Sequence, residues 1–158
     1  MLDAYHAKME TPFAVLGIRT LGERVTDVDY LASGVATLDP LNKVAERAWR
    51  EIERYLGDPQ YAPNVPFEYH GTVFQCSVWK RVSAIPAGHT LTYKDIASSL
   101  RTAPRPVGGA CGANRIPIVI PCHRVVGATG LGGFMRSGGA DALQIKRWLL
   151  RHEGVRVA

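Results

Sequence analysis

Cysteine is scarce in this chain of 158 residues, and the three present (Cys76, Cys111 and Cys122) are an odd number without paired spacing. A disulfide framework is therefore not expected, and a reducing compartment suits the chain better. Histidine and cysteine do not cluster at metal-ligand spacing; His6, His70, His89, His123 and His152 are scattered, so no metal is indicated. Long apolar runs are also missing. The stretch from Ile116 to Pro121 is far too short to span a bilayer, and the N-terminus lacks a basic region followed by an apolar one. A cytoplasmic protein is expected, nucleoid-associated in a bacterium or nuclear in a eukaryote, with no membrane partner. There is no internal repeat.

Acidic residues are scarce in one half only. The formal net charge is +5, which many proteins with no nucleic-acid role share. Its distribution says more. From Lys80 to Arg151 eleven lysines and arginines face only Asp95 and Asp141. That half is the better candidate for touching phosphates.

What is present reads as an α/β (α+β) chain: a small N-terminal antiparallel sheet with a helix, then a mostly helical part. Met9 to Leu31 reads as strands with a turn at Leu21-Gly22. Asp39-Pro40 reads as a helix start, with Asp39 as N-cap. Leu41, Val44, Ala45, Ala48, Ile52, Tyr55 and Leu56 then share one helical face. Gly57-Asp58-Pro59 stops it, and the proline-bearing segment to Pro66 reads as a linker. The expected division is 1–69, an α/β domain with its linker, and 70–158, a helical domain.

In the second part, Thr72-Val73-Phe74-Gln75 is a capping-box sequence, followed by an apolar face at Phe74, Val78 and Val82. A short helix is expected from Thr92 to Leu100 and another from Arg105 to Ala113, together resembling a helix-turn-helix. Gly108, Gly109 and Gly112 oppose the second, at roughly 1 kcal/mol each, and on propensity alone this stretch is a loop. A functional alternative is a smooth helix that lets a DNA backbone come close. Asp141 caps a last helix with Leu143, Ile145, Leu149 and Leu150 inward, ending at Gly154.

The chemistry concentrates in Pro121-Cys122-His123-Arg124. A thiol becomes a strong nucleophile when a base or a positive charge favours the thiolate. His123 could supply the base, through a water if the two side chains diverge. Arg124 could add positive field, and Glu153 could orient the imidazole. By itself a Cys-His pair is more often a buried cysteine beside an exposed histidine.

The run from Asn114 to Val126 closely resembles the active-site signature of the O6-alkylguanine-DNA alkyltransferases, the methylated-DNA–protein-cysteine methyltransferases. Gly71-Thr72-Val73-Phe74-Gln75, Ile85-Pro86-Ala87-Gly88, Thr92-Tyr93, Arg105-Pro106-Val107-Gly108-Gly109-Ala110 and Lys146 to Gly154 match in order, covering about residues 70 to 155. The N-terminal part matches loosely, through Thr11-Pro12-Phe13 and a sheet-then-helix order, and a ribonuclease H-like arrangement is what the resemblance implies there.

The resemblance also implies roles. Cys122 would accept the alkyl group, with His123 as base through water and Glu153 orienting it. Asn114 would tie the recognition helix to the active-site segment, although alone it reads equally well as a turn residue. Tyr93 would donate a proton toward the guanine ring, and Arg105 would fill the gap left by an extruded nucleotide. Thr92, Pro106, Gly108, Gly109, Gly112, Arg115 and Arg124 would lie along the DNA. Cys111, Pro117, Phe134 and Lys146 would line the pocket; without the resemblance, Cys111 is a packing residue and Lys146 a solvated surface charge. The partner would be double-stranded DNA containing O6-alkylguanine, with O4-alkylthymine as a further substrate, bound by a monomer in the minor groove with little sequence preference. The target nucleotide would be flipped out, the alkyl group displaced onto sulfur, and the protein spent after one event, with no cofactor.

Three features depart from the family pattern. Arg115 stands where many members have proline. The loop from Gly130 to Asp141 is longer, with Phe134 where tyrosine is usual. No cysteine precedes Cys76, so the zinc site of some members is missing. Alternatives from other classes are a non-catalytic lesion-binding relative, which would lack the acceptor cysteine, a cysteine hydrolase, which would need an oxyanion hole, and a plain helix-turn-helix regulator, which would need no reactive thiol.

Overall fold

The computed structural model describes residues 5–132 and 141–157. Three antiparallel strands form the first sheet in the order β1 (Ala7–Glu10), β2 (Val15–Leu21), β3 (Arg24–Leu31). The β2–β3 hairpin turns at Gly22, whose φ of +60° suits a glycine in a tight two-residue connection. The middle strand is buried on both faces from Val15 to Ile18. Gly17 lies under the Tyr5 ring, where an added Cβ would come within 2.5 Å of it.

Helix α1 (Lys43–Gly57) crosses this sheet, burying Ala45, Ala48, Ile52 and Tyr55. Its N-cap is Asn42, whose side chain accepts from Ala45 N, and not Asp39 as the sequence suggested. The reason is tertiary. Leu38 exchanges two backbone hydrogen bonds with Lys8, and Leu41 N donates to His6 O, so the chain stays extended along β1 until residue 41. Leu41 thus falls outside the helix and is exposed.

Residues 58–72 carry no helix or strand, and the division expected near residue 70 lies within them. Beyond come α2 (Val73–Ser83), β4 (Leu91–Thr92), α3 (Tyr93–Ser99), α4 (Pro104–Gly112), a 3-10 turn at Cys122–Arg124, β5 (Val125–Val126) and α5 (Ala142–His152). The Thr72–Gln75 box is formed, with both bonds at 3.0 Å, and Thr92 with Asp95 makes a second one at α3. Asp141 caps α5 as expected, but Leu143 is exposed. The parallel pairing of β4 with β5 had no counterpart in the sequence reading; two residues are too few for a period to show.

The glycine-bearing stretch is helical despite its propensity. Val107, Ala110 and Cys111 bury one side of α4, and Trp79 Nε1 on α2 donates to Ala110 O over 2.9 Å. Burial of a face outweighs the intrinsic penalty. The turn between α3 and α4 is made at Arg101, in a left-handed conformation (φ 57°), with Thr102 N reaching back to Ala97 O. A single cluster of buried side chains runs from the sheet and α1 through α2, α4 and α5. No helix among the described residues is long and apolar enough to cross a membrane.

Candidate active site and DNA-facing helix

The segment from Asn114 to Cys122 is a compact loop over buried Ile116, Ile118 and Ile120, not a strand. Ile118 has a φ of 74°, a conformation costly for a β-branched residue, on the order of 1–3 kcal/mol. Asn114 holds the loop together. Its Nδ2 donates to Ile120 O over 2.8 Å, and its Oδ1 accepts from Ile116 N over 2.9 Å. Asn114 N also bonds Cys111 O, so this one residue joins the end of α4 to the approach to Cys122.

Cys122 is 2% exposed. The thiol of Cys111 is among the groups that act on it. The neighbouring Cys111 thiol and burial push the Cys122 thiol well above the usual range, against the Asn114 amide and the Lys146 ammonium. The Cys122 thiol is therefore kept protonated.

His123 and Glu153 do meet. His123 Nε2 lies 2.7 Å from Glu153 Oε2, and both side chains are buried. Burial lowers the imidazole below its usual range although Glu153 opposes this, leaving it neutral. Burial works against an ionised Glu153, but hydrogen bonds from His123 and Arg124 outweigh it and hold the carboxyl below the usual carboxylate range. An ionised Oε2 can only accept, so Nε2 carries the hydrogen and Nδ1 is left as the basic nitrogen.

Arg124 departs from its expected place along the DNA. It is buried: Nε and Nη2 bind the two oxygens of Glu153 at 2.8 and 3.0 Å, and Nη1 donates to Ile85 O at 2.7 Å. A guanidinium so deep needs such pairing, and its burial keeps it from reaching phosphate. The sequence reading also missed Tyr55, whose hydroxyl donates to Glu153 Oε2 over 2.5 Å from α1. A tyrosine on an otherwise apolar helical face was the available signal, since a buried hydroxyl needs a partner.

Lys146 is fully buried, contrary to the plain reading of a solvated lysine. Its Nζ donates to Val125 O at 2.7 Å and to Tyr93 OH at 3.4 Å. Burial lowers it to about 8, against the pull of Cys111 and Cys122. Burial also raises the Tyr93 hydroxyl above its usual range, so it stays protonated and able to donate. Tyr93, Cys111, Cys122 and Lys146 thus form one group; Pro117 is buried in the loop on the approach to Cys122, and Phe134 lies outside the described residues.

Arg105, Pro106 and Gly109 are exposed on α4, with Gly108 and Gly112 half-buried. A Cβ added at Gly109 or Gly112 would meet nothing within 4 Å. Thr92 is spent capping α3. Arg115 is exposed but points toward β3, where Nε is 3.7 Å from Asp27 Oδ1.

A family model described as "6-O-methylguanine DNA methyltransferase, DNA binding domain" matches residues 73–155. The chain is 41% identical over 107 residues to the methylated-DNA–protein-cysteine methyltransferase of Archaeoglobus fulgidus, covering 67% of this chain and 73% of that protein. It is 42% identical over 104 residues to that of Shigella flexneri, covering 65% of this chain and 58% of the relative. Among solved structures, Mycobacterium tuberculosis O6-methylguanine methyltransferase superposes with a TM-score of 0.78 at 32% identity, over 94% of this chain and 92% of that one. The same organism's OGT in complex with DNA gives 0.78 at 33%, over 92% and 90%. With its family model spanning α2 to α5 and its whole fold shared with these structures, the chain belongs to the 6-O-methylguanine DNA methyltransferase family.

Proposed function

We propose that this chain repairs duplex DNA by moving the alkyl group of O6-alkylguanine onto Cys122 in one irreversible event. Methyl transfer from methylated DNA to a protein cysteine is what its relatives are named for, and one structural neighbour is a complex with DNA. The observation that carries the reading for this chain is the buried Cys122 beside a neutral His123 whose other nitrogen is anchored on Glu153.

In this reading the Cys122 proton passes through a water to His123 Nδ1, and Glu153 stabilises the imidazolium that forms. The thiolate attacks the alkyl carbon, a carbon–sulfur bond forms and the bond to O6 breaks. Guanine leaves, taking up a proton donated by Tyr93 toward the ring, while Lys146 stabilises the negative charge that had built on sulfur. A thioether is not hydrolysed, so each molecule acts once, and no step calls for a cofactor. A guanine stacked in a duplex cannot reach a sulfur this deep, so the nucleotide is rotated out of the helix. Helix α4 lies in the minor groove, where Gly109 and Gly112 allow close approach and Arg105 occupies the vacated position. O4-alkylthymine is a further substrate on the same chemistry.

Intact-mass analysis after incubation with duplex DNA carrying O6-methylguanine tests this. The expected result is a gain of about 14 Da on Cys122, saturating near one per protein and lost in Cys122→Ser. Tight lesion binding without a mass gain would instead make the chain a recognition protein. Repeated turnover, or methyl on another cysteine, would overturn the mechanism.

A further inference from the structure

We propose that the cavity between β3, the segment before α2 and the loop leading to Cys122 is a binding site for a small aromatic carboxylate. The cavity measures about 230 Å³. Val25, Trp79, Ile116 and Ile120 line it and are buried, at 1% to 5% exposure. Trp79 Nε1 is already bonded to Ala110 O at 2.9 Å, so the indole offers this space ring carbon and no donor. An apolar cavity of ~150 Å³ is enough to hold benzene, so this one has room for one or two fused rings.

The mouth of the cavity is charged. Arg24 and Arg115 stand there with His70, against Glu68. Arg24 Nη1 is 3.8 Å from Glu68 Oε1, and Arg115 Nε is 3.7 Å from Asp27 Oδ1. Both distances exceed hydrogen-bonding range, and the two arginine side chains are 42% and 57% exposed. Exposed pairs this loose contribute little, so a ligand carboxylate can take over either guanidinium at small cost. Two guanidiniums above an apolar floor select a flat ring that carries an anion, because the planar fork of arginine matches a carboxylate.

The walls are tied to one another. Val25 N bonds Pro66 O at 2.8 Å, and Val28 N bonds Arg115 O at 2.9 Å, so a ligand meets a space already formed. One wall is the loop itself. Its own bonds run from Ile116 N to Asn114 Oδ1 and from Ile120 N to Ile116 O, each at 2.9 Å. Opening the loop breaks those bonds and removes that wall together. A ligand that binds only the intact cavity therefore holds the loop shut in proportion to its occupancy. The proposal uses no property of the Cys122 thiol, so it stands or falls apart from the alkyl-acceptor reading.

The probe is 2-naphthoate, with the neutral 2-naphthamide as its control, added to the whole protein labelled with nitrogen-15. Saturable amide shifts are expected at Arg24 to Thr26, Trp79 and Arg115 to Ile120, with a Kd of about 1 mM or tighter. Naphthamide should bind about fivefold more weakly or worse, and so should naphthoate to Arg24→Ala and to Arg115→Ala. Thr26 lines the cavity, and Thr26→Phe should fill it and abolish binding. At about ten times Kd, hydrogen exchange at the Ile116 and Ile120 amides should slow about tenfold. No saturable shift up to about 10 mM, or shifts centred elsewhere, would overturn the site. Naphthamide binding as well as naphthoate, or arginine variants binding normally, would overturn the carboxylate. Unaltered exchange at saturation would overturn the hold on the loop. Should Thr26→Phe not fold, the two arginine variants decide.

Discussion

Tyr55 and Glu153 are 98 positions apart in sequence, yet the tyrosine hydroxyl donates to the carboxylate over 2.5 Å inside the core. Glu153 also holds His123 and Arg124, so the helix of the N-terminal part acts on the imidazole next to Cys122. Removing the hydroxyl in Tyr55→Phe leaves the carboxylate its other partners. Stability should fall by about 1–2 kcal/mol in urea denaturation. Single-turnover methyl transfer should slow several-fold, with its acid limb shifted as Glu153 rearranges on His123. An unchanged pH profile would reduce Tyr55 to a packing residue.

Arg124 and Glu153 set the acid limit of the fold. A carboxyl held below its ordinary value of 4.5 contributes stability above that pH. The contribution is lost as pH falls from there toward the folded value, because the unfolded chain then binds the extra proton first. Unfolding free energy should therefore drop steeply below pH 4.5. Glu153→Gln should lose about 3–5 kcal/mol at neutral pH, since it strands a buried guanidinium, and should flatten the acid limb.

Lys146 gives a dependence of the same sign in the alkaline range. Its folded value is about 8 against 10.5 in the unfolded chain. Between the two the unfolded state holds more protons, so stability rises with pH over that window. Chemical denaturation from pH 7.5 to 10.5 should show the rise in the wild type. Lys146→Met, similar in length and uncharged, should lack it.

Gly109 and Gly112 cost the free protein helix stability, and no packed neighbour among the described residues requires them to lack a side chain. Replacing either by alanine should raise the stability of the isolated protein by about 0.5–1 kcal/mol. The same substitutions should weaken binding to duplex DNA, measured by fluorescence anisotropy at fixed salt. A stabilised variant that binds normally would place the groove-facing surface elsewhere.

How much of this could be read from the sequence depended on distance along the chain. The Thr72 and Asp141 caps, the Gly22 hairpin and the buried face of α1 follow from residues within a few positions of one another, and all were legible. The start of α1 was not, because backbone bonds to β1 claim residues 38 and 41 first. Glycine content argued against α4, but the burial of Val107, Ala110 and Cys111 decided for it. Counting charges put Arg124 with the surface cations; only the fold reveals that it serves Glu153. Cys111 reads as packing without the family resemblance, and the fold groups it with Tyr93, Cys122 and Lys146.

The outer strands of the sheet are not left open. Residues 38 and 41 bond along β1, while Pro66 O and Arg115 O accept from Val25 N and Val28 N on the far side of β3. An unpaired strand is the usual template on which copies of a chain add to one another and polymerise. Here those donors and acceptors are already taken by the protein's own linker and by the loop leading to Cys122. Fibre growth by strand addition at these positions would first have to pull that loop away, so loss of the active-site conformation and exposure of a sticky edge would come as one event.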